Sequence, residues 1–192
     1  MTAQRVTRTD MASEIQTIAV IGAGDQGRGI ACAVLLAGYR TVLEDVSESR
    51  LERAATWIAD GANVGAEARS RLVLASKIEE AVRAGDLIVE AVAEEMEMKI
   101  EMFTIFDKFA KPDAVFASSS PALSIAELAA VTFCPERCIG LRFVCKDGQS
   151  NALELVSTLQ TSEETIARCL EVGRRMGKEV KVVPEREFTE SR

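Results

Sequence analysis

The chain has 192 residues, a formal net charge of −7, 47% hydrophobic and 28% charged residues, values typical of one globular domain. The acidic balance argues against a nucleic-acid partner held by general electrostatics, and no apolar run in the sequence has the length of a membrane span. The sequence also opens without a signal-peptide pattern. It contains no histidine, so no imidazole can act as a general base or metal ligand.

Residues 1–13 are polar and aperiodic, and residues 1–16 are predicted to form a loose extension. Residues 18–21 are apolar and mostly β-branched, which predicts a buried strand, and residues 27–37 have helical periodicity. Gly38 is placed to end that helix, and residues 41–45 predict a second strand ending in acid. The pattern then predicts helices over 47–60, 66–71, 77–84 (capped by Ser76), 96–109, 124–131 and 161–176, and strands over 72–74, 86–92, 115–117, 139–144, 153–156 (a short edge strand) and 180–183.

Strands that alternate with helices predict a doubly wound, mostly parallel sheet of the Rossmann type, in an α/β single domain. We expect this domain to span residues 17–184, followed by a charged tail at 185–192. We find no internal repeat and no linker.

A glycine-rich turn follows the first predicted strand. Gly22, Gly24 and Gly27 have the spacing that lets a dinucleotide pyrophosphate approach the backbone at a helix N-terminus. Asp45 lies where a carboxylate would accept hydrogen bonds from the adenosine ribose, which favours NAD over NADP. The same glycines also serve helix–strand packing, so a unit that has lost its ligand remains the alternative. Asp25, inside the turn, suits a pyrophosphate only if its side chain points to water.

Five cysteines are scattered along the chain, and this odd number without a compact framework predicts reduced thiols in a cytoplasmic protein. They are Cys32, Cys134, Cys138, Cys145 and Cys169. Cys134 and Cys138 are four apart, but no second pair or histidine completes a zinc set. We therefore predict no metal site.

The sequence resembles the N-terminal domain of the 3-hydroxyacyl-CoA dehydrogenases over residues 18–183, nearly the whole chain. The matching stretches are 18–29, 37–39, 43–47, 88–92, 123–128, 135–141 and 153–156. The resemblance implies that NAD lies across the glycine turn and the ends of the neighbouring strands, and it implies a place in fatty-acid metabolism. The implied cofactor-binding residues are Gly22, Gly24, Gln26, Gly27, Asp45, Ala91, Glu94, Lys99 and Ser119. For Glu94 and Lys99 the alternative is a solvated helix face.

The resemblance fails at the residues that do the family's chemistry, in which a histidine oriented by a glutamate takes the hydroxyl proton. Arg142 stands at the histidine position, Pro121 at the position of a substrate-binding serine, and Ser119 at that of a loop asparagine; only the glutamate matches, as Glu154. Arginine stays protonated and cannot accept a proton. Arg142 could form an ion pair with Glu154, or bind an anionic ligand such as a carboxylate. Lys146 is the nearest substitute base, and it would need a strongly lowered pKa.

The family's long helical excursion between residues 47 and 78 is shorter here, and the family continues into a helical second domain where this sequence ends. We expect an NAD(H)-binding protein whose standard chemistry is lost or weak, a possible pseudoenzyme acting as a binding or partner-completed module. The alternatives are an active oxidoreductase on a 3-hydroxyacyl-CoA or a smaller acidic hydroxy substrate, and an interaction module without nucleotide. The expected ligand is a small molecule, an acyl-CoA or an acidic metabolite, with no nucleic acid and no membrane as partner. The chain is also expected to form a homo-oligomer.

Overall fold

The computed structural model describes residues 14–61, 64–146 and 149–185. Most of the predicted N-terminal extension, and the tail beyond Glu185, lie outside the described residues. The strands are β1 (Thr17–Ile21), β2 (Arg40–Glu44), β3 (Leu72–Ala75), β4 (Leu87–Glu90), β5 (Val115–Ser118), β6 (Cys138–Lys146), β7 (Gln149–Ser157) and β8 (Glu179–Pro184). The helices are α1 (Asp25–Leu36), α2 (Glu48–Gly61), α3 (Ala66–Arg69), α4 (Ile78–Ala84), α5 (Met96–Phe109), α6 (Ile125–Ala129) and α7 (Glu163–Arg175).

The strands form one eight-stranded sheet in the order β3-β2-β1-β4-β5-β6-β7-β8. All neighbouring pairs are parallel except β6 and β7, which pair antiparallel. The order reverses between β1 and β4, so a crevice opens at the carboxyl ends of these two strands. This arrangement confirms the predicted doubly wound, mostly parallel fold.

Buried side chains on the two faces of the sheet form two cores. One contains Leu35 of α1, Leu43 of β2 and Ile58 of α2, and extends to Cys169 and Val172 of α7. The other contains Phe103 and Phe106 of α5 and Phe116 of β5, whose rings meet with centroids 5.5–6.4 Å apart. Apolar side chains on both faces explain why the strand segments read as continuous hydrophobic runs.

Three predicted details change in the structure. The segment 153–156 is part of the longer β7, which lies between β6 and β8 and is therefore not an edge strand. Ser76 is not the cap of α4, because Lys77 occupies the N-cap position and no side chain caps this helix. Helix α1 begins at Asp25, two residues before the predicted start, and this brings its N-terminus directly onto the glycine turn.

The predicted end of α1 is confirmed. Gly38 follows α1 with φ +91°, a left-handed conformation that suits glycine, and its N–H donates to the carbonyl of Leu35 at 3.0 Å. Helix α7 begins at Glu163, two residues after the predicted start, because Ser162 is its cap and its hydroxyl accepts from the N–H of Thr165 at 3.1 Å. Within the described ranges, no helix combines the length and the apolar character needed to cross a bilayer.

Candidate nucleotide site at the carboxyl edge of the sheet

The glycine turn is locked against the loop that follows β4. Gly22 has φ +104°, and a Cβ placed on it would lie 2.7 Å from the carbonyl oxygen of Ala91. A Cβ on Gly27 would lie 1.8 Å from the carbonyl oxygen of Gly22, so only glycine lets α1 pack this closely on the turn. The N–H of Ala91 donates to Ile21 at 2.8 Å and fixes the two loops side by side. These contacts form the floor of the crevice.

The N-terminus of α1 is open above this floor. A Cβ on Gly24 would meet nothing within 4 Å, and residues 24–26 are exposed. The first helical hydrogen bond runs from Arg28 N to Gly24 O at 2.9 Å, so the preceding N–H groups have no acceptor within the helix. Asp25 points to water, its side chain 93% exposed and paired with Arg28 at 2.9 Å. The turn therefore has the space and the free donors that a pyrophosphate needs.

Asp45 follows β2 and connects this strand to the turn. Its carboxylate oxygens accept hydrogen bonds from Ala23 N at 3.0 Å and Ser47 N at 2.9 Å, and Arg50 lies 3.7 Å away. The residue is only 5% exposed. A carboxylate oxygen accepts more than one hydrogen bond, so Asp45 keeps acceptor capacity beside the turn.

A row of polar side chains crosses the sheet at its carboxyl edge. The strand register aligns Glu44 with Ile21, Ile21 with Glu90, and Glu90 with Ser118. Ile21 belongs to the core on the side of α4, α5 and α6, so this row faces those helices. Glu44, Glu90 and Ser118 were not predicted as site residues, although a glutamate inside an apolar strand is a visible signal.

Glu90 is buried together with Lys99 of α5, which places Lys99 in the core and not on a solvated helix face. The Lys99 Nζ lies 2.7 Å from Glu90 Oε1 and 3.3 Å from Glu94, and its side chain is 1% exposed. Glu90 also accepts hydrogen bonds from Val92 N and from the Ser118 hydroxyl, each at 2.7 Å. The ion pair and the hydrogen bonds to Glu90 together offset the cost of burying the two charged side chains.

Glu94 lies in the loop before α5, 40% exposed, and connects Lys99 to the loop after β5. The Ser120 hydroxyl donates to its carboxylate and accepts from the N–H of Leu123 at 2.8 Å. Gln26 of α1 reaches the same loop, donating to the carbonyl of Ser119 at 2.9 Å. The Ser119 hydroxyl is buried and has no partner among the described residues. Of the predicted cofactor residues, Gln26, Glu94, Lys99 and Ser119 thus converge on one loop.

Arg142 and Glu154 occupy facing positions on β6 and β7. The ion pair considered between them is not formed in the described part of the chain. Arg142 Nε instead donates to the carbonyl of Ser120 at 3.0 Å. Arg142 and Glu154 are both half-buried. The side chain of Lys146, the substitute base, lies outside the described residues.

Glu44 is a buried carboxyl that, unlike Glu90, has no ion pair among the described residues. It is 3% exposed, and its Oε1 has no partner among the described residues. Burial, with the nearby charges of Asp45 and Glu79, raises the pKa of Glu44 to about 7. The residue therefore carries a proton over much of the neutral and acidic range.

The described cysteines are free and buried, which agrees with the expectation of reduced structural thiols. Burial raises the pKa of Cys134 to about 11 and of Cys138 and Cys169 to about 12, so these thiols are unreactive at neutral pH. Across the described residues, no group of three or more acidic or cysteine side chains is arranged to hold a metal.

The sheet order and the open glycine turn define a dinucleotide-binding α/β domain. The family model "3-hydroxyacyl-CoA dehydrogenase, NAD binding domain" matches residues 17–186. The chain therefore belongs to the 3-hydroxyacyl-CoA dehydrogenase family through its NAD-binding domain, and its cofactor is NAD.

Individual relatives agree with this assignment. A probable 3-hydroxybutyryl-CoA dehydrogenase of Bacillus subtilis is 36% identical over 176 residues, which are 86% of this chain and 61% of that protein. The corresponding enzyme of Bradyrhizobium diazoefficiens is 34% identical, over 90% of this chain and 62% of that protein. The crystal structure of the (S)-3-hydroxybutyryl-CoA dehydrogenase PaaH1 from Ralstonia eutropha superposes with TM-score 0.85 at 27% identity, covering 90% of this chain and 65% of that one. The chain spans about three fifths of the length of these curated relatives.

Proposed function

We propose that this protein binds NAD(H) but oxidises 3-hydroxyacyl-CoA weakly or not at all. The observation that carries the proposal is an intact nucleotide crevice beside a site with no proton acceptor of the family's kind. Arg142 stands where the family places its histidine, and the whole sequence contains no histidine. Loss of a general base lowers a rate by about two to four powers of ten.

The cofactor contacts follow from the geometry of the crevice. The pyrophosphate would lie over Gly22, Gly24 and Gly27 at the N-terminus of α1, where free N–H groups and the helix dipole favour an anion. Asp45 would accept from the adenosine ribose through its remaining acceptor capacity. When bound, NAD supplies or accepts the hydride, and the side chains of the crevice bind and orient the ligands.

The nicotinamide half of the cofactor would lie toward Ala91 and the loop after β5. Gln26 holds this loop through the Ser119 carbonyl, and Lys99 holds Glu94 in place. The unpartnered Ser119 hydroxyl is a buried group that a ligand could satisfy. Arg142 contacts the same loop through the Ser120 carbonyl and stands where the family has its proton acceptor.

A titration of the full chain with NADH, followed by NADH fluorescence, tests the cofactor half of the proposal. Gly24→Val should abolish saturable binding, because the side chain fills the space the pyrophosphate needs. Gly65→Val is the matched control, since Gly65 is also a helix N-cap glycine whose added Cβ meets nothing within 4 Å. Absence of saturable binding to the unaltered chain would favour an interaction module without nucleotide. Equal binding by both variants would instead show that NADH does not lie over the glycine turn.

The second candidate is an active NAD-dependent oxidoreductase on a 3-hydroxyacyl-CoA or a smaller acidic hydroxy substrate. The hydrogen-bonded connection from Ser120 through Glu94 to Lys99 favours it, because it could move a proton at the carboxyl edge. A substrate screen with Arg142→Ala and Lys146→Ala controls tests this candidate, and it fails if the unaltered chain oxidises nothing.

Homo-oligomer formation, a cytoplasmic location and a role in fatty-acid metabolism stay predictions. The buried, protonated thiols are consistent with a reducing compartment.

A further inference from the structure

We propose that the Arg142 guanidinium binds the carboxylate of a small ligand beside the loop that follows β5. The proposal deepens the proposed function, since it places this ligand next to the nicotinamide half of NAD. The ligand would be recognised through an anionic group that contacts Arg142 directly.

The guanidinium is fixed in place at the edge of the crevice. Its Nε donates to the Ser120 carbonyl at 3.0 Å, and the Ser120 hydroxyl binds Glu94 in turn. An arginine whose Nε is engaged keeps the edge formed by its two terminal nitrogens, and their N–H groups match the two oxygens of a carboxylate. Because Arg142 is half-buried, a bidentate contact there is screened less than one on the surface.

The nearest acid does not take this edge. Glu154 is aligned with Arg142 across the antiparallel pair of β6 and β7, yet the two side chains form no ion pair among the described contacts. Facing residues in such a pair have Cβ atoms about 4.5–5.5 Å apart, so a pairing geometry is available and is not adopted. Of the two uses of Arg142 that the sequence allowed, the structure favours the anion site.

The other buried cation near the loop is not available to a ligand. Lys99 is 1% exposed and is held by Glu90 at 2.7 Å and Glu94 at 3.3 Å. A carboxylate that enters beside Ser120 would therefore meet Arg142, whose terminal nitrogens have no hydrogen bond or ion pair among the described contacts. Its location next to the loop that Gln26 and Glu94 also reach puts the ligand at the end of the crevice where hydride is exchanged.

Acetoacetate is a suitable probe, because it carries one carboxylate and one carbonyl on a small skeleton. Methyl acetoacetate has the same skeleton without the charge. Binding of each is measured by isothermal titration calorimetry to the full chain, with and without saturating NADH. We expect acetoacetate to bind at least about tenfold more tightly than its ester, as a charge-assisted contact requires.

Four variants assign this preference to Arg142. Arg142→Gln should weaken acetoacetate binding about 10- to 100-fold and leave the ester unchanged. Glu154→Gln should strengthen acetoacetate binding about threefold, since it removes a neighbouring like charge. Arg69→Gln, at an exposed position on α3, removes the same charge elsewhere and should change nothing. Arg142→Lys should retain part of the affinity, because it keeps the charge without the planar fork.

Thermal unfolding and NADH affinity show whether each variant is folded. Equal binding of acetoacetate and its ester, or unchanged acetoacetate affinity in folded Arg142→Gln, would overturn the carboxylate site while leaving NAD binding intact. Absence of NADH binding to the unaltered chain would instead overturn the proposed function. In that case the comparison of acetoacetate with its ester, made without NADH, still decides the role of Arg142.

Discussion

Two buried glutamates at the carboxyl edge have opposite electrostatic surroundings. Glu90 forms an ion pair with Lys99 at 2.7 Å and accepts hydrogen bonds from the Ser118 hydroxyl and the N–H of Val92. Glu44, aligned with the same residue of β1, faces Asp45 and Glu79 and no cation among the described residues. One acid is therefore part of a buried ion pair, whereas burial and the neighbouring negative charges raise the pKa of the other to about 7.

Lys99→Met should destabilise the protein by about 3–5 kcal/mol, because it leaves Glu90 buried and unpaired. Lys77→Met is the control: Lys77 is 70% exposed and pairs with Glu80 on the surface, so its loss should cost less than about 1 kcal/mol. Urea unfolding of both variants measures the difference. Equal costs would show that the pair of Lys99 and Glu90 contributes no more than a surface contact.

The raised pKa of Glu44 predicts a pH dependence of stability. Between its ordinary value of 4.5 and about 7, the unfolded chain releases this proton while the folded chain retains it. The free energy of unfolding should therefore fall as the pH rises through this range, by up to about 3 kcal/mol from this group.

Glu44→Gln should remove that contribution, whereas Glu48→Gln, at an exposed position, should not. Urea unfolding at pH 5 and pH 8 gives the free energy of unfolding of each variant, and the difference between the two pH values is compared. An unaltered pH dependence in Glu44→Gln would mean that Glu44 titrates normally in the folded protein.

At the scale of elements, close packing at glycines decides where helices lie on the sheet. A Cβ on Gly173 of α7 would lie 2.5 Å from Val180 Cγ2 and 3.0 Å from Leu153 Cδ2, so α7 packs tightly on β7 and β8. A Cβ on Gly29 of α1 would meet nothing within 4 Å. The two positions are both helical and differ in the space around them.

Gly173→Ala should destabilise the protein by about 1–2 kcal/mol, because overpacking exceeds the gain in helix propensity. Gly29→Ala should stabilise it by about 0.5–1 kcal/mol through propensity alone. Thermal melts of the two variants measure these changes in stability. A stabilising Gly173→Ala would show that α7 moves away from the sheet at little cost.

Elements were predictable wherever local chemistry determines them. The glycine turn, the end of α1 at Gly38 and the span of α5 follow from backbone preference and apolar spacing, and all three are found. The length and inner position of β7 were not predictable, because pairing with β6 and β8 extends a segment that has only a short alternating pattern. The burial of Lys99 depends on Glu90 from another element, a long-range pairing that periodicity along one helix cannot reveal.

Across the whole molecule, the sheet order brings distant segments to one edge. Gly22, Asp45, Ala91 and Ser119 come from the ends of four different strands and meet because these strands are parallel neighbours. The same topology brings Arg142 to this edge through β6, which pairs with β5. Cofactor binding and the substitution at the chemistry position are therefore features of one crevice.

The most direct test is the reduction of acetoacetyl-CoA by the full chain with saturating NADH, followed by the loss of NADH absorbance. Ordinary enzymes turn over at about 1–1000 per second. Without a histidine, the rate is predicted to be at least about 100-fold below that range, while NADH binding stays saturable. Turnover within the ordinary range would contradict the account, because it would require a proton acceptor other than the imidazole that this chain lacks.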